Sequence, residues 1–234
     1  TQAESIMADL KQAEFVVANV EKKERKRNPA APFTTSTLQQ EANRKLGFSA
    51  RKTMSTAQKL YEGIDIGAES LGLITYMRTD SVALSEQATS EAREVICQVY
   101  GEEYALSKPR TFKNKSKNAQ EAHEAVRPTS IAHTPEKIKK YLTTDQFRLY
   151  QLIWKRTIAC QMAAAVFDQV GVDIDVDAGA AQMRATGSVL AFDGFIKVYQ
   201  EGRDDAGDDD AEQRLPRLEK GQMLNREKVV ADQH

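Results

Sequence analysis

Tyr76 and Arg78 stand two positions apart in the stretch Gly72-Leu73-Ile74-Thr75-Tyr76-Met77-Arg78-Thr79-Asp80-Ser81. A phenol beside a fixed guanidinium suits attack on a phosphodiester. The guanidinium forms a planar fork matched to phosphate oxygens and stays charged at every working pH. Tyrosine serves as a covalent nucleophile once something helps remove a proton held at a free pKa of about 10. Leu73, Ile74 and Thr75 favour an extended backbone. In an extended chain residues i and i+2 face one side, which puts both side chains over the same space. Alone, a Tyr-x-Arg is common and also fits an ordinary surface strand with a solvated arginine.

Other residue types carry chemistry further along. His123 lies in Glu121-Ala122-His123-Glu124-Ala125-Val126-Arg127-Pro128, which reads as helical up to Pro128. A His-Glu-x-x-His zinc site fails there, because Arg127 stands where the second histidine belongs. On residue type alone His123 reads as a hydrogen-bonded structural histidine, and an imidazole titrating near neutrality could also tune phosphate binding with pH. Directly upstream, Lys108, Arg110, Lys113, Lys115 and Lys117 occur without an intervening acid. Such a basic loop reads as a contact to a nucleic-acid backbone. Asp173, Asp175 and Asp177 alternate with Val172, Ile174 and Val176. That spacing is the wet face of a half-buried strand rather than a metal site.

The elements that must position these groups follow from periodicity. Ser36 and Gln39 have capping-box spacing for a helix closing at Gly47. Ser49 caps a second helix with Met54, Ala57, Leu60 and Tyr61 on one face and Gly63 as its stop. A helix from Ser85 to Tyr100 ends at Gly101. Thr134-Pro135 opens a short helix, and a longer one runs from Thr144 through Met162. Trp154 on it packs in the core or stacks on a base. From Val166 the period becomes alternating, with further strands predicted over Met183–Leu190, Gly194–Tyr199 and Met223–Val230. At the start, a short helix containing Ile6 and Leu10 leads into an extended Phe15–Val20. The basic run Lys22–Arg27, closed by Pro29 and Pro32, reads as a solvated linker or a nucleic-acid contact. The acidic insert Arg203–Glu212 is a poor core former.

The 234 residues suffice for one large domain or two modest ones. With 41% hydrophobic and 29% charged residues the composition is that of an ordinary globular protein. A net charge of −1 excludes a global positive field, so any nucleic-acid surface must be local. The two cysteines, Cys97 and Cys160, suggest no disulfide framework and suit a reducing cytoplasm. No apolar run approaches the length of a membrane span. The chain opens inside a helical pattern without an initiating Met, and we read it as an excised fragment.

The whole phrase Ile74-Thr75-Tyr76-Met77-Arg78-Thr79-Asp80-Ser81 resembles the active-site signature of type IA DNA topoisomerases. Pro32-Phe33-Thr34-Thr35-Ser36-Thr37-Leu38-Gln39-Gln40 upstream and Glu121–Pro128 downstream resemble the same family, in the expected order. Met77 between Tyr76 and Arg78 resembles the bacterial topoisomerase I branch. The resemblance runs from about Phe15 to the end of the chain. It implies an α+β, multidomain architecture, with a mainly helical domain at 33–162 inserted into a β-rich arch domain formed by 1–32 and 163–234. The two chain crossings between them would form a hinge within the enzyme's ring.

The resemblance further implies that Tyr76 attacks single-stranded DNA with Arg78 as its phosphate-orienting partner. It assigns His123 to single-stranded DNA, with Arg127 as a second phosphate-facing donor and Gln39 and Arg51 as further phosphate contacts. The family uses Mg2+ through a Toprim domain, which this sequence lacks along with the remaining ring domains. The chain would therefore carry the nucleophile, need those domains as partners, act as a monomer on DNA in the cytoplasm, and be inactive alone. From another class, a non-catalytic module binding single-stranded DNA or protein through the helix pair is the competing reading.

Overall fold

The computed structural model describes residues 2–67, 69–113, 124–177, 181–200, 215–228 and 230. Two compact units divide the chain: a sheet unit (2–26, 166–192 and the described residues from 215 onward) and a helical unit (27–165 with 193–200). The acidic insert lies outside the described residues.

The helical unit is built on helix α6 (Thr144–Gln161). Thr143 accepts from the Gln146 amide while the Gln146 side chain returns to the Thr143 backbone, closing a capping box. Most of the helix is buried from Leu149 onward, because α2 (Thr35–Leu46), α3 (Ala50–Glu62), α4 (Glu86–Val99) and α5 (Pro135–Ile138) all pack on it. Trp154 is core, its indole donating to the Ile131 carbonyl at 2.9 Å, so the base-stacking alternative falls away.

The predicted caps hold in part. Ser49 caps α3 as read from the sequence, Ser85 stands at the expected start of α4 and proves to be its cap, and Gly47 ends α2 at φ +68°. The cap of α2, however, is Thr34 paired with Thr37, two residues ahead of the expected Ser36 and Gln39. Threonine at the third helical position closes the same reciprocal pair that glutamine was expected to close. On α3 the buried face is Thr53, Thr56, Ala57 and Leu60, and Tyr61 lies outside it at 40% exposure. Gly194–Lys197 is a 3-10 turn rather than a strand. Phe195 and Tyr199 are buried in the helical unit, with Tyr199 donating to Glu41 and Arg156 stacked over its ring.

The sheet unit has the strand order β5-β4-β1-β6, with β1 at Phe15–Arg27, β4 at Ala165–Val176, β5 at Ala181–Phe192 and β6 at Met223–Leu224. β4 and β5 form a long antiparallel ladder, and β6 pairs only Phe15 and Val16. The basic run expected as a linker is instead the second half of β1. Its charged residues sit on a wetted surface, where Glu21 pairs with Lys23 at 2.6 Å and with Arg184 at 3.3 Å. Pairing in the sheet outweighs the weak strand preference of Lys and Glu. β6 is shorter than the strand expected over 223–230. Asp173 meets Arg184 at 2.9 Å, Asp175 accepts from Gln182, and Asp177 accepts from the Glu14 amide.

Candidate active-site segment

Residues 73–81 form neither helix nor strand. Ile74 makes a single antiparallel bridge to Pro128, and the chain bends at Met77. The alternation expected of Tyr76 and Arg78 is nevertheless present. Leu73, Ile74 and Met77 are buried at 0%, 1% and 0% exposure, while Tyr76 is 50% exposed and Arg78 is exposed. Burying the methionine contributes about 1.5–3 kcal/mol, so Met77 acts as a peg holding its two neighbours outward.

Two threonines clamp the backbone around this peg. Thr35, at the start of α2, donates its hydroxyl to the Met77 carbonyl at 2.7 Å and accepts from the Thr79 amide at 2.8 Å. Its own amide, one of the helix's otherwise unpaired N-terminal donors, reaches the Thr79 carbonyl at 2.9 Å. On the other side Thr75 donates to the Ala125 carbonyl at 2.7 Å and accepts from the Arg127 amide at 3.0 Å. Backbone bonds Thr75 N to Arg127 O and Thr129 N to Leu73 O extend that pairing. Upstream, Leu73 N donates to Leu60 O at 2.7 Å. A Cβ on Gly72 would stand 2.5 Å from the Tyr61 carbonyl oxygen, so only glycine lets the segment approach α3 this closely.

The sequence phrases that looked separate therefore meet here. Phe33 bridges Val126, Thr35 holds 77–79, and Thr75 holds 125–127. The described part of the downstream phrase, Glu124–Pro128, is not helical and carries single antiparallel bridges at Val126 and Pro128.

A family model described as DNA topoisomerase matches residues 1–234. The DNA topoisomerase 1 of Rickettsia bellii (strain RML369-C) is 51% identical over 233 residues, covering 100% of this chain and 29% of that protein. The DNA topoisomerase 1 of Xylella fastidiosa (strain Temecula1) is 52% identical over 227 residues, covering 95% of this chain and 28% of the relative. The chain belongs to the DNA topoisomerase family. The full-length topoisomerase I structure from Thermotoga maritima superposes with a TM-score of 0.76 at 39% identity, over 95% of this chain and 34% of that one. The type IA topoisomerase I resemblance read from the three phrases thus holds over the whole chain. The chain spans under a third of the curated topoisomerases it matches.

Of the site residues expected from sequence, Tyr76 and Arg78 share the clamped segment. Arg51 and Lys113 are exposed and Gln39 is half-buried on α2. Lys115, Lys117 and His123 lie outside the described residues. Arg127 is not presented as a free phosphate donor. Its side chain is 12% exposed, pairs with Glu124 at 2.6 Å, and donates to the carbonyls of Pro128 and Thr129. Burial works against the Glu124 charge, but hydrogen bonds from Arg127 and Ser85 outweigh it and hold the carboxyl below its ordinary range. Arg110, read as part of the basic loop, is likewise committed: its guanidinium donates to the Asn28 side chain and the Met162 carbonyl, and its backbone amide donates to the Gln161 side chain.

Sequence reasoning missed Thr35, Thr75 and Met77 as positioning groups. All three lie inside the recognised phrases, but partners some 40 to 50 positions away in the chain are visible only after folding. Among the described residues no group of three or more His, Cys, Asp or Glu could hold a metal ion, and none of their helices is long and apolar enough to cross a membrane.

Proposed function

We propose that Tyr76 is the nucleophile of a type IA strand-cleavage reaction on single-stranded DNA. The phenolic oxygen bonds to phosphorus as the P–O3′ bond breaks. The phenol gives up its proton, and the departing 3′ oxygen takes one up. The product is a 5′-phosphotyrosine and a free 3′ hydroxyl. One ester replaces another, so the reverse reaction reseals the strand without ATP. Passage of a strand through the gap relaxes negative supercoils in the whole protein. Arg78 orients the phosphate and stabilises charge building on it, an effect worth a few kcal/mol in such sites.

The observation that carries this reading is the pair of exposed side chains, Tyr76 and Arg78, flanking a buried Met77 on a backbone clamped by Thr35 and Thr75. A preformed geometry of this kind lowers the entropic cost of attack. Arg51, Gln39 and Lys113, with Lys115, Lys117 and His123 on sequence grounds, supply DNA backbone contacts. Arg127 supports the segment through its ion pair instead of touching phosphate. The sheet unit takes the arch role of the family.

The family's Mg2+ does not fit the described residues of this chain, where Asp173 and Asp175 on β4 and Asp177 just beyond it are engaged with Arg184, Gln182 and Glu14. On this reading it belongs with the Toprim domain that the family resemblance implies, and the chain requires that domain and the rest of the ring to cleave. The assembled protein acts as a monomer on nucleoid DNA in the cytoplasm.

The test is suicide-substrate cleavage. A labelled single-stranded oligonucleotide and Mg2+ are added to this chain alone, and to the chain with the remaining domains of the R. bellii relative supplied in trans. A covalent adduct only on complementation, lost in Tyr76→Phe, is the expected result. An adduct surviving Tyr76→Phe refutes the assignment. No adduct in either mixture, with salt-dependent oligonucleotide binding, favours the non-catalytic binding module.

A further inference from the structure

Tyr61 and Tyr76 are the residues to compare. Tyr61 closes α3, lies off its buried face and is 40% exposed, so the core does not explain it. Its ring meets that of Tyr76 edge-on, with centroids 5.3 Å apart and planes at 61°. That is a favoured arrangement for aromatic pairs, which place a positive edge on a negative face.

The pairing is held from both ends. On the Tyr61 side, α3 stops at Gly63, whose φ of +137° releases the helix. The chain then makes the short hairpin β2 (Ile64–Asp65) and β3 (Ser70–Leu71) and returns to lay Gly72 on the Tyr61 carbonyl. Leu73 N to Leu60 O fixes the return. On the Tyr76 side, the Thr75 clamp and the Met77 peg fix the backbone on either side of the ring. What remains free at Tyr76 is its side chain. A half-exposed tyrosine on a fixed backbone still samples several staggered rotamers, and only one of them can aim its oxygen at a given phosphate.

We propose that Tyr61 is a positioning residue that restricts the Tyr76 ring to the orientation used for attack. This rests on the reading of Tyr76 as nucleophile. Tyr61 itself touches neither phosphate nor leaving group, and it acts through ring contact, so its hydroxyl is dispensable. Removing the ring spreads Tyr76 over further rotamers and slows adduct formation, while leaving DNA affinity where it was.

Adduct formation is measured in the complemented mixture at saturating oligonucleotide, with affinity measured separately by fluorescence anisotropy. Tyr61→Ala is expected to form the adduct about three- to tenfold more slowly, the range an aromatic pair of this kind supports, with Kd within about twofold of the parent. Tyr61→Phe is expected to restore the parent rate. Tyr61→Leu, which keeps apolar bulk without the ring, serves should the alanine variant melt early, and it is expected to be slow. A parent-like rate in Ala or Leu overturns the proposal. So does a Kd weakened by the same factor as the rate, which would make Tyr61 a DNA contact, and so does a slow Phe variant, which would give the hydroxyl a role. If the parent forms no adduct on complementation, the reading of Tyr76 itself fails and takes this one with it. If the parent forms the adduct and the Tyr61 variants match it, only the role of Tyr61 falls.

Discussion

Replacing Thr35 by valine keeps the side chain's shape and removes only the hydroxyl that grips 77–79. The hydroxyl's contacts vanish: the 2.7 Å bond to the Met77 carbonyl with its weaker 3.1 Å branch to the Thr79 carbonyl, and the 2.8 Å bond from the Thr79 amide. The Thr35 amide keeps its bond to the Thr79 carbonyl, so the segment loosens without detaching. Each lost bond removes about 1 kcal/mol, and a part-buried Met77 carbonyl or Thr79 amide left unsatisfied raises the total to about 2–3 kcal/mol. For a chain of this size that corresponds to a fall of about 4–12 °C in the melting temperature. On the proposed reading of Tyr76 the kinetic effect is expected to be of similar size, because displacing a reacting group by about 1 Å can cost about a hundredfold in rate, or about 2.7 kcal/mol. Thermal melting followed by circular dichroism and adduct formation in the complemented mixture read the two effects separately. Thr35→Ser, which keeps the hydroxyl, is expected to restore most of both. A Thr35→Val variant that melts normally and forms the adduct at the parent rate would falsify the view that this threonine preorganises the segment.

Two further substitutions probe the same frame. Gly72→Ala places a methyl 2.5 Å from the Tyr61 carbonyl oxygen and must displace the segment or the end of α3. A loss of about 1–3 kcal/mol in chemical denaturation is expected, and an unchanged midpoint would show that the approach is not tight. Glu124 supplies a pH dependence. Its carboxyl titrates lower in the folded protein than in the unfolded chain, so the unfolded chain takes up the proton first. The stability it contributes is full above its ordinary value of 4.5 and is lost as pH falls through the lower, folded value. Urea melts of the parent and Glu124→Gln should therefore differ at neutral pH and converge in acid, with a gap independent of pH counting against the Glu124–Arg127 pair.

The sequence by itself determined the local features. The Ser49 and Ser85 caps, the Gly47 and Gly101 helix ends and the long helix at 144–161 follow from residue types a few positions apart. The same is true of the alternation around Met77, and a short exact phrase was enough to carry the family resemblance. Where local preference and packing disagreed, packing decided. The run Lys22–Arg27 is polar enough for a linker yet lies in a strand because β4 offers it a partner. Gly194–Tyr199 has the apolar content of a strand but coils so that Phe195 and Tyr199 can bury in the helical unit. Arg127 carries a phosphate binder's guanidinium, but it is neutralised by Glu124, a neighbour whose direction only the folded backbone reveals. Tertiary structure alone decided what holds the Tyr76 segment, since Thr35, Thr75 and Tyr61 meet it through contacts between distant stretches of chain. Spacing in a sequence specifies which face a side chain takes, whereas its partner across such a contact is fixed only when the chain has closed the intervening loop.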